Sequence, residues 1–566
     1  MFLPTTSEEL QKLGWSQLDV ILITGDSYID SPFIGAAVIG HMLVEAGYRV
    51  GIIAQPDPES ESDITRLGEP RLFWGVTGGS VDSMVANYTA SKKRRKSDDY
   101  TPGGENNKRP DRAVLVYTNL IRRHFKNTVP IVLGGIEASL RRITHYDYWT
   151  DKLRAPILFD SKADYVIYGM GEKPILEFAE AVRDGADPKL IRGLGYLSHE
   201  KPDDYLEVPS YEAVVADKLM FIQMFHTFYQ NNDPISAVGL AQRKGDRYYV
   251  QNPPAQRMTQ PELDAVYAMP YQRAQHPYYE KMGSVRALDT IRFSISTHRG
   301  CYGECNFCAI AVHEGRTVTW RSQPAILAEA ASFIQNPEFK GIISDVGGPT
   351  ANMYGFECEL KTSRGACKNR RCLYPAICSK MRPNHEAQTE LLRKLREIPG
   401  VRKVFVASGI RYDLIQADLR NGRTYLIEVV DHHISGQMKI APEHTEERVL
   451  SRMGKPGTEA LIKFKRTFDE LNRISGKNQF LTYYLIAAYP GCTDEDMRRM
   501  KIFISKELHI TPEQVQIFTP TPSTYSSLMY YTEMDPFTGE KLFVEKDLKR
   551  KEHQKHLITP PLAGKG

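Results

Sequence analysis

The sequence predicts an α/β protein with two parallel β-sheet parts, one in each half of the chain. Between residues 19 and 190, short apolar runs rich in β-branched residues alternate with amphipathic segments. The same alternation resumes near residue 291, after an irregular stretch. Apolar strands separated by helices are typical of parallel sheets that are covered on both faces. In such folds, ligands bind beyond the carboxyl ends of the strands.

The N-terminal part, residues 1–190, is predicted to contain a Rossmann-like sheet. Its first strand, 19–24, is followed by a helix over 33–46. Further strands are predicted at 48–54, 72–76, 113–117, 130–133 and 165–168. Glycine-containing loops follow several of these strands, which makes the loops candidates for ligand binding.

Two stretches interrupt the alternation. Residues 191–285 have no clear period and contain many tyrosines, so we interpret them as a connector between the two parts. The basic run KKRRK, residues 92–96, opens a polar stretch that is expected to form a long surface loop. Such runs are usually solvated, and an anion or nucleic-acid contact is the alternative.

The C-terminal part, residues 286–535, is predicted to hold six β/α units. Its strands are expected at 291–297, 341–346, 403–407, 437–440, 481–487 and 514–518. A complete parallel barrel has eight units, so six indicate a partial (βα)6 TIM-type barrel with its functional residues at the carboxyl ends of the strands. The charged, proline-containing residues 536–566 are expected to form a tail.

The composition excludes several classes of protein. The 566 residues carry 73 basic and 69 acidic side chains, a net charge of +4. This balance is ordinary for a globular chain and provides no global basic field that would attract nucleic acid. No apolar run of about 18 residues occurs, and the N-terminus lacks the pattern of a signal peptide. We therefore expect a cytoplasmic protein that does not enter the membrane.

Eight cysteines, all after residue 300, are the strongest chemical signal in the sequence. They are too few for a disulfide scaffold in so long a chain. Cys301, Cys305 and Cys308 follow the first predicted strand of the second part with the spacing C-x3-C-x2-C. Three thiolates at this spacing can each bind one iron of a 4Fe-4S cluster and leave the fourth iron open for catalysis.

This motif resembles that of the radical S-adenosylmethionine (SAM) superfamily, with the aromatic Phe307 before the third cysteine and a place after the first barrel strand. The resemblance implies that the amino and carboxylate groups of SAM chelate the open iron. One electron from the reduced cluster then cleaves a C–S bond and gives methionine and a 5′-deoxyadenosyl radical, which abstracts hydrogen from a substrate. It also implies a reductant such as a flavodoxin or a ferredoxin.

Three further strand ends resemble the contacts that the superfamily makes with SAM. Gly347 and Gly348 follow the second strand, where the superfamily has a Gly-Gly segment whose backbone binds the SAM amino group. Pro349 stands where an acidic residue is usual. Arg411 and Glu443 follow the third and fourth strands and resemble, by position, contacts to the SAM carboxylate and ribose. Each of them taken alone is also explained as an ordinary turn or salt-bridged residue.

The whole chain resembles the YgiQ-type family of radical SAM proteins. The segments that carry this resemblance are, in order, GDSYIDSPFIGAAVIG, KKRRKSDDYTPGG, VPIVLGGIEASLRRITHYDYW, ISTHRGCYGECNFCAI, SGIRYDL, MKIAPEHT and TPTPSTYSSLMYYT. The N-terminal part also resembles the cobalamin-binding domain of many radical SAM enzymes, in VPIVLGGIEAS and DYVIYGMGEK. It lacks a D-x-H-x-x-G loop after the first strand, so a scaffold that binds no cobalamin is the alternative.

The predicted function is thus a radical SAM enzyme that acts on an unidentified substrate. The alternative is a non-enzymatic iron-sulfur or zinc protein, for electron transfer or as a nucleic-acid-binding scaffold. A polar insertion at residues 350–383 holds four more cysteines, Cys358, Cys367, Cys372 and Cys378. A structural zinc or an auxiliary cluster and uncoordinated thiols are both open interpretations of this second set.

Overall fold

The computed structural model describes residues 1–512 and 515–560. The chain divides into two compact units, Met1–Arg292 and Phe293–Gly566. None of the helices described in either unit is both long and apolar enough to cross a membrane.

The first unit is an α/β structure. Its strands are β1 (Val20–Thr24), β2 (Ile29–Asp30), β3 (Val50–Ala54), β4 (Phe73–Thr77), β5 (Ile131–Gly134), β6 (His145–Asp147), β7 (Lys152–Arg154), β8 (Tyr165–Ile167), β9 (Leu194–Ser198), β10 (Leu206–Val208), β11 (Leu240–Lys244), β12 (Arg247–Gln251) and β13 (Ala274–Gln275). Its α-helices are α1 (Ser7–Lys12), α2 (Gly35–Glu45), α3 (Glu61–Thr65), α4 (Ser83–Asn87), α5 (Ala113–His124), α6 (Gly135–Leu140), α7 (Ile157–Asp160), α8 (Glu172–Asp184), α9 (Tyr211–Ala216), α10 (Lys218–Gln230), α11 (Gln260–Ala268), α12 (Pro277–Glu280) and α13 (Ala287–Ile291).

A nine-stranded sheet organises this unit, in the order β10-β11-β12-β9-β8-β5-β4-β1-β3. The five strands from β3 to β8 run parallel, and β9, β12 and β11 continue the sheet with antiparallel pairs. All five residues of β1 are buried, as expected for a central strand that is covered on both faces. The prediction of an α/β fold with a large, mostly parallel sheet is confirmed.

Two predictions for this unit differ from the structure. Residues 113–117 are not a strand but the start of α5, in which the buried positions 113, 114, 117, 120 and 121 repeat with helical spacing. Residues 191–285 are not an irregular connector, because β9 to β12 extend the sheet. The sequence did contain a signal for one of these pairs: Gly245 and Asp246 form the two-residue turn of the β11–β12 hairpin.

The basic run at residues 92–96 lies in a loop with its own bridges, between Tyr88 and Arg94 and between Ser97 and Glu105. Arg94 pairs with Asp111 at 3.4 Å, and residues 93–97 are exposed. The surface loop expected from the sequence is therefore observed, while a nucleic-acid contact stays a prediction.

A buried ion network closes the carboxyl ends of β1 and β4. The side chain of Arg109 is 0% exposed, and it pairs with Asp26 after β1 (Nη2 to Oδ1, 2.8 Å) and with Asp98 (Nε to Oδ2, 3.1 Å). Its Nη1 donates to the carbonyl of Gly78 after β4, at 2.6 Å. Glycine is required at Gly25, because a Cβ there would overlap the Gly78 carbonyl oxygen. The two strand ends therefore pack against each other around one guanidinium group.

The second unit begins with a short parallel pair and continues as alternating strands and helices. Its strands are β14 (Ser294–Ser296), β15 (His298–Arg299), β16 (Thr319–Trp320), β17 (Ile342–Ile343), β18 (Asp345–Gly347), β19 (Lys403–Val404), β20 (Gln437–Glu443), β21 (Phe480–Ala487) and β22 (Gln516–Ile517). Its α-helices are α14 (Ile310–His313), α15 (Gln323–Ser332), α16 (Glu359–Arg364), α17 (Glu386–Glu397), α18 (Tyr412–Ala417), α19 (Gly422–Glu428), α20 (Glu447–Met453), α21 (Thr458–Ser475), α22 (Asp494–Phe503), α23 (Tyr525–Thr532) and α24 (Leu548–Ile558). Short π-helical turns follow α19 and α22.

Most strands of this unit pair in parallel, whereas β15 and β16 form an antiparallel pair. β14 pairs with β18, β17 with β19, β20 with β21, and β21 with β22, and a parallel bridge joins Ile410 to Ile440 in β20. Each predicted strand of this part overlaps an observed one. Residue 514, where the sixth was predicted to begin, lies outside the described residues.

The predicted tail, residues 536–566, contains a packed helix. In α24, Lys551 donates to the hydroxyl of Tyr530 at 2.7 Å, and the side chain of Gln554 accepts from the Ala488 N–H at 3.0 Å. Both side chains are fully buried. The charged composition does not predict this burial. It is possible because the apolar part of a lysine side chain packs well where the ammonium group has a partner. Residues 561–566 lie outside the described residues.

We predict that Arg109→Met destabilises the first unit by about 3–5 kcal/mol, because it leaves two buried carboxylates without their cation. Hydrogen exchange of the β1 amides, measured by mass spectrometry, reports the local free energy of opening. The exposed neighbour Lys108 is the matched control, since Lys108→Met removes a charge without unpairing a buried one. Equal exchange in the two variants would contradict the structural role of Arg109.

Candidate metal centre and cofactor site

The three predicted cluster ligands lie in one loop between β15 and α14, at residues 301–308, here called the cluster loop. Cys301, Cys305 and Cys308 are all partly exposed. Burial raises the pKa of the Cys301 and Cys308 thiols, and each pKa is raised further by a neighbouring cysteine of the motif. The three sulfur atoms are therefore close enough to interact electrostatically.

Gly303 keeps a space free between the first two sulfur atoms. A Cβ at this position would lie 3.2 Å from Cys301 Sγ and 3.6 Å from Cys305 Sγ. The Gly303 N–H also donates to Cys301 Sγ at 3.3 Å, which favours a thiolate ligand there. Two thiol sulfurs and the guanidinium group of Arg411 border the position that a Cβ at Gly303 would take. The three cysteines of the loop are a donor set that fits an iron-sulfur cluster.

No three His, Cys, Asp or Glu side chains in residues 1–512 and 515–560 converge closely enough to hold a single metal ion. A 4Fe-4S cluster does not require that convergence, because each thiolate binds a different iron atom. The arrangement of the cluster loop thus differs from that of a single-ion zinc site.

Arg411 reaches the cluster loop from the strand end before α18. Its Nη1 lies 3.9 Å from Cys305 Sγ, while its Nε donates to Asp413 Oδ1 at 3.0 Å and its Nη2 to Asp413 Oδ2. The two-nitrogen face of the guanidinium group is thus occupied by Asp413. The bidentate recognition expected of Arg411 from the sequence is not available in this arrangement, and only Nη1 faces the loop.

The predicted Gly-Gly segment lies against the first strand end. The carbonyl of Gly347 accepts from the Thr297 N–H at 2.7 Å, and a Cβ at Gly348 would lie 2.6 Å from the ring of His298. Next along the chain, Thr350 Oγ1 lies 3.6 Å from Cys301 Sγ. The segment therefore passes beside the cluster loop, and glycine is needed at 348 because the His298 ring takes the space of a side chain.

Glu443 and Lys455 are two buried groups of opposite charge, of which the sequence analysis identified only Glu443. Glu443, at the end of β20, is 8% exposed, and Lys455, just after α20, is 7% exposed. Burial raises the pKa of Glu443, and Lys455 is the main cation that opposes this rise. Lys455 also acts on Asp413, so it lies near the Arg411–Asp413 pair.

Neither Glu443 nor Lys455 makes a side-chain hydrogen bond or ion pair within the described part of the chain. The two groups interact electrostatically without a hydrogen bond, so their donors and acceptors are available to a polar ligand. The sequence offered no signal for Lys455, because a lysine one residue after the helix-ending Gly454 is common at helix C-termini.

The second cysteine set does not form a single-ion metal site among the described residues. Cys358 and Cys372 are buried in an apolar cluster with Tyr302 and Phe356, whereas Cys367 is exposed. Burial raises the pKa of Cys372 to about 11. Its polar neighbour is a cation rather than a metal, since Lys361 Nζ lies 3.4 Å from Cys372 Sγ.

Comparison with known proteins assigns the chain to a family. Residues 2–294 match the family model described as Radical SAM N-terminal. The UPF0313 protein FN0734 of Fusobacterium nucleatum subsp. nucleatum is 60% identical over 559 residues, which cover 99% of this chain and 98% of that protein. The chain belongs to the UPF0313 family of radical SAM proteins. A UPF0313 protein of Thermotoga neapolitana is 50% identical over 561 residues, with the same coverage of both chains.

Among solved structures, the chain is similar to TsrM from Kitasatospora setae, a radical SAM methyltransferase with cobalamin and a [4Fe-4S] cluster bound. The TM-score is 0.49 at 15% identity, over 90% of this chain and 77% of that chain. The cobalamin-dependent SAM radical enzyme OxsB matches with a TM-score of 0.47 at 13% identity, over 93% of this chain and 56% of that chain.

The residues of the first unit do not fit cobalamin at the ligand-binding end of its sheet. Along the chain, β3 is added on one side of β1 and β4 on the other side. The order of strand addition therefore reverses between β1 and β4, which is the point where doubly wound sheets bind ligands. That point is filled by Arg109 with Asp26 and Asp98. Cobalamin has no part in the function proposed for this UPF0313 protein.

We predict that Gly303→Ala lowers the iron and acid-labile sulfide that the chain retains after anaerobic reconstitution, because the new Cβ occupies the space beside both sulfur atoms. Gly409→Ala is the matched control in the same unit, since nothing lies within 4 Å of a Cβ at position 409. Full cluster content in Gly303→Ala would show that this space does not hold the cluster.

Proposed function

We propose that this protein is a radical SAM enzyme that binds a 4Fe-4S cluster and SAM and acts on an unidentified substrate. The single observation that carries the proposal is the set of three cysteines in the cluster loop, with Gly303 beside the sulfur atoms of Cys301 and Cys305. Membership of the UPF0313 family, with its radical SAM N-terminal model, supports the class of chemistry. When bound, the cluster supplies the electron that cleaves SAM into methionine and a 5′-deoxyadenosyl radical.

In this proposal, Cys301, Cys305 and Cys308 hold the cluster through their thiolates. The Gly347–Gly348 backbone binds the amino group of SAM. The surroundings of these residues support such roles, because Thr350 and Arg411 lie beside the cysteine sulfurs. The chain's remaining task is to orient SAM and keep water away from the reacting atoms.

Glu443 and Lys455 complete the proposed SAM site. Glu443 and Lys455 interact electrostatically but make no side-chain hydrogen bond among the described residues, so the carboxylate can accept from the ribose hydroxyls and the ammonium group can donate to the SAM carboxylate. Lys455 takes the role that the sequence assigned to Arg411 alone, because Asp413 already holds the two-nitrogen face of that arginine. Arg411 contributes its single free Nη1 from the side of the cluster loop.

The finer fold belongs to the same proposal. We infer that the parallel strands from β14 to β22 form a partial (βα)6 barrel and that the first unit is Rossmann-like. The four parallel pairs, β14 with β18, β17 with β19, β20 with β21 and β21 with β22, support the barrel, since parallel strands bring their carboxyl ends to one side. The proposal includes a cytoplasmic location and an electron donor such as a flavodoxin or a ferredoxin.

We predict that the anaerobically reconstituted and reduced protein converts SAM to 5′-deoxyadenosine without added substrate. The triple variant Cys301→Ala/Cys305→Ala/Cys308→Ala should lose this product completely, because no iron ligand remains in the loop. Chromatography with mass detection measures the product. A loaded wild-type cluster that yields no product and whose spectrum does not respond to SAM would instead favour a non-enzymatic iron-sulfur protein.

We predict that Lys455→Met weakens SAM binding roughly 10- to 100-fold, because a charge-assisted hydrogen bond contributes about 1.5–3 kcal/mol. Anaerobic equilibrium dialysis with the cluster-loaded protein gives the dissociation constant. Lys463→Met removes an exposed lysine of α21 and is the control. Unchanged affinity with unchanged iron content would remove Lys455 from the proposed site.

A further inference from the structure

We propose that the insertion at residues 350–383 is a clamp that positions the cluster loop, acting through the contacts of Lys361 and Arg371 with Glu304. The inference rests on the proposed function, since it concerns how the chain holds the residues that bind the cluster. Lys361, Arg371 and Glu304 are positioning residues, because they reach the cluster only through the backbone of the loop.

Glu304 is a buried carboxylate in the middle of the C-x3-C motif. Its Oε1 lies 3.3 Å from Lys361 Nζ, and its Oε2 lies 3.5 Å from Arg316 Nη1. The side chain of Lys361 is only 2% exposed, so its ammonium group is buried together with the Glu304 carboxylate. A carboxylate that leaves water needs its cations close, and removing one of them is far more unfavourable than replacing the whole pair.

Glu304 also has a backbone conformation that must be held in place. Its φ is +47°, in the left-handed region that non-glycine residues seldom adopt. Such a conformation persists where the surroundings fix it. Arg371 of the insertion stabilises this conformation by a hydrogen bond to the backbone, in which its Nη1 donates to the Glu304 carbonyl at 3.1 Å.

Contacts with the insertion alternate with the first two cysteines along the loop. The hydroxyl of Tyr302 donates to the Phe356 carbonyl at 3.2 Å, and Arg371 Nη2 donates to Asn306 Oδ1 at 2.6 Å. Together with Glu304, these residues occupy positions 302, 304 and 306, between and after Cys301 and Cys305. The insertion therefore contacts the residues between and beside the cysteines, and its Thr350 hydroxyl also lies 3.6 Å from Cys301 Sγ.

The clamp also gives the second cysteine set a role without a metal. Cys372 accepts from Lys361 Nζ, the ammonium group that pairs with Glu304, so the thiol helps to fix the cation. Cys358 packs beside Tyr302 and Cys372 in the same apolar cluster. Both thiols are small, weakly polar groups that tolerate burial, as free cysteines commonly do.

The reduction potential of the cluster depends on the charge near it. A purely structural role of Lys361 and Glu304 would leave this potential unchanged. Lys361 balances the Glu304 carboxylate next to Cys305, so removing the ammonium adds net negative charge beside the cluster and removing the carboxylate subtracts it. Negative charge disfavours the entry of an electron. The two changes should therefore shift the reduction potential of the cluster in opposite directions.

The test uses the full chain, reconstituted anaerobically with iron and sulfide, and four variants. Lys361→Met removes the cation, Glu304→Gln removes the carboxylate, the double variant removes both, and Lys361→Arg keeps the cation. Lys551→Met is the matched control, because Lys551 is also a fully buried lysine of this unit and bonds Tyr530 instead. Iron release to a chelator and an EPR redox titration are measured for each.

We expect Lys361→Met to release iron at least tenfold faster than the wild type and to have a lower reduction potential. Glu304→Gln should have a higher potential, the double variant should release iron more slowly than Lys361→Met, and Lys361→Arg should resemble the wild type. Lys551→Met should lower the unfolding temperature without changing either cluster measurement.

Two results would overturn the clamp while leaving the proposed function intact. One is a Lys361→Met protein whose iron release and potential equal those of a wild type that cleaves SAM. The other is a Lys551→Met protein that reproduces the effects of Lys361→Met, since loss of stability would then be the cause. A wild type that retains no cluster would overturn the proposed function itself.

Discussion

The cluster loop depends on one physical constraint, the pairing of the buried Glu304 carboxylate. That carboxylate lies between the first two cysteines of the motif, where it meets Lys361 and Arg316 rather than water. Because an unpaired carboxylate in the interior is strongly unfavourable, the loop keeps the conformation that brings these cations to it. The thiols, the space at Gly303 and the approach of Arg411 all follow from that conformation.

Buried charge is used in two different ways in this protein. In the first unit, Arg109 is saturated by Asp26, Asp98 and the Gly78 carbonyl, and the end of the sheet is closed. In the second unit, Glu443 and Lys455 are nearly as buried but make no ion pair or hydrogen bond among the described residues. A hydrogen-bonded network stabilises the fold, whereas opposite charges that interact without hydrogen bonds keep their donors and acceptors for a ligand. This difference separates the structural site from the candidate binding site.

Local patterns predicted those parts of the fold whose neighbours along the chain decide their structure. The six strand positions of the second unit were found because apolar β-branched runs between amphipathic helices have few other solutions. The run at residues 113–117 was assigned wrongly, since five apolar residues fit a buried strand and the first turns of α5 equally well. The strands within residues 191–285 were missed because the turn signal at Gly245 and Asp246 was not used and because β12 pairs with β9 across a long stretch of chain.

The sequence by itself places three cysteines at C-x3-C-x2-C spacing in one loop, a donor set that fits an iron-sulfur cluster. Only the tertiary structure decided which groups surround those thiols. Glu304 and Lys361 are 57 residues apart in the chain, and the cation that acts on Glu443 comes from beyond the next helix. Contacts between such distant residues depend on how strands and helices pack, and no local periodicity encodes that packing.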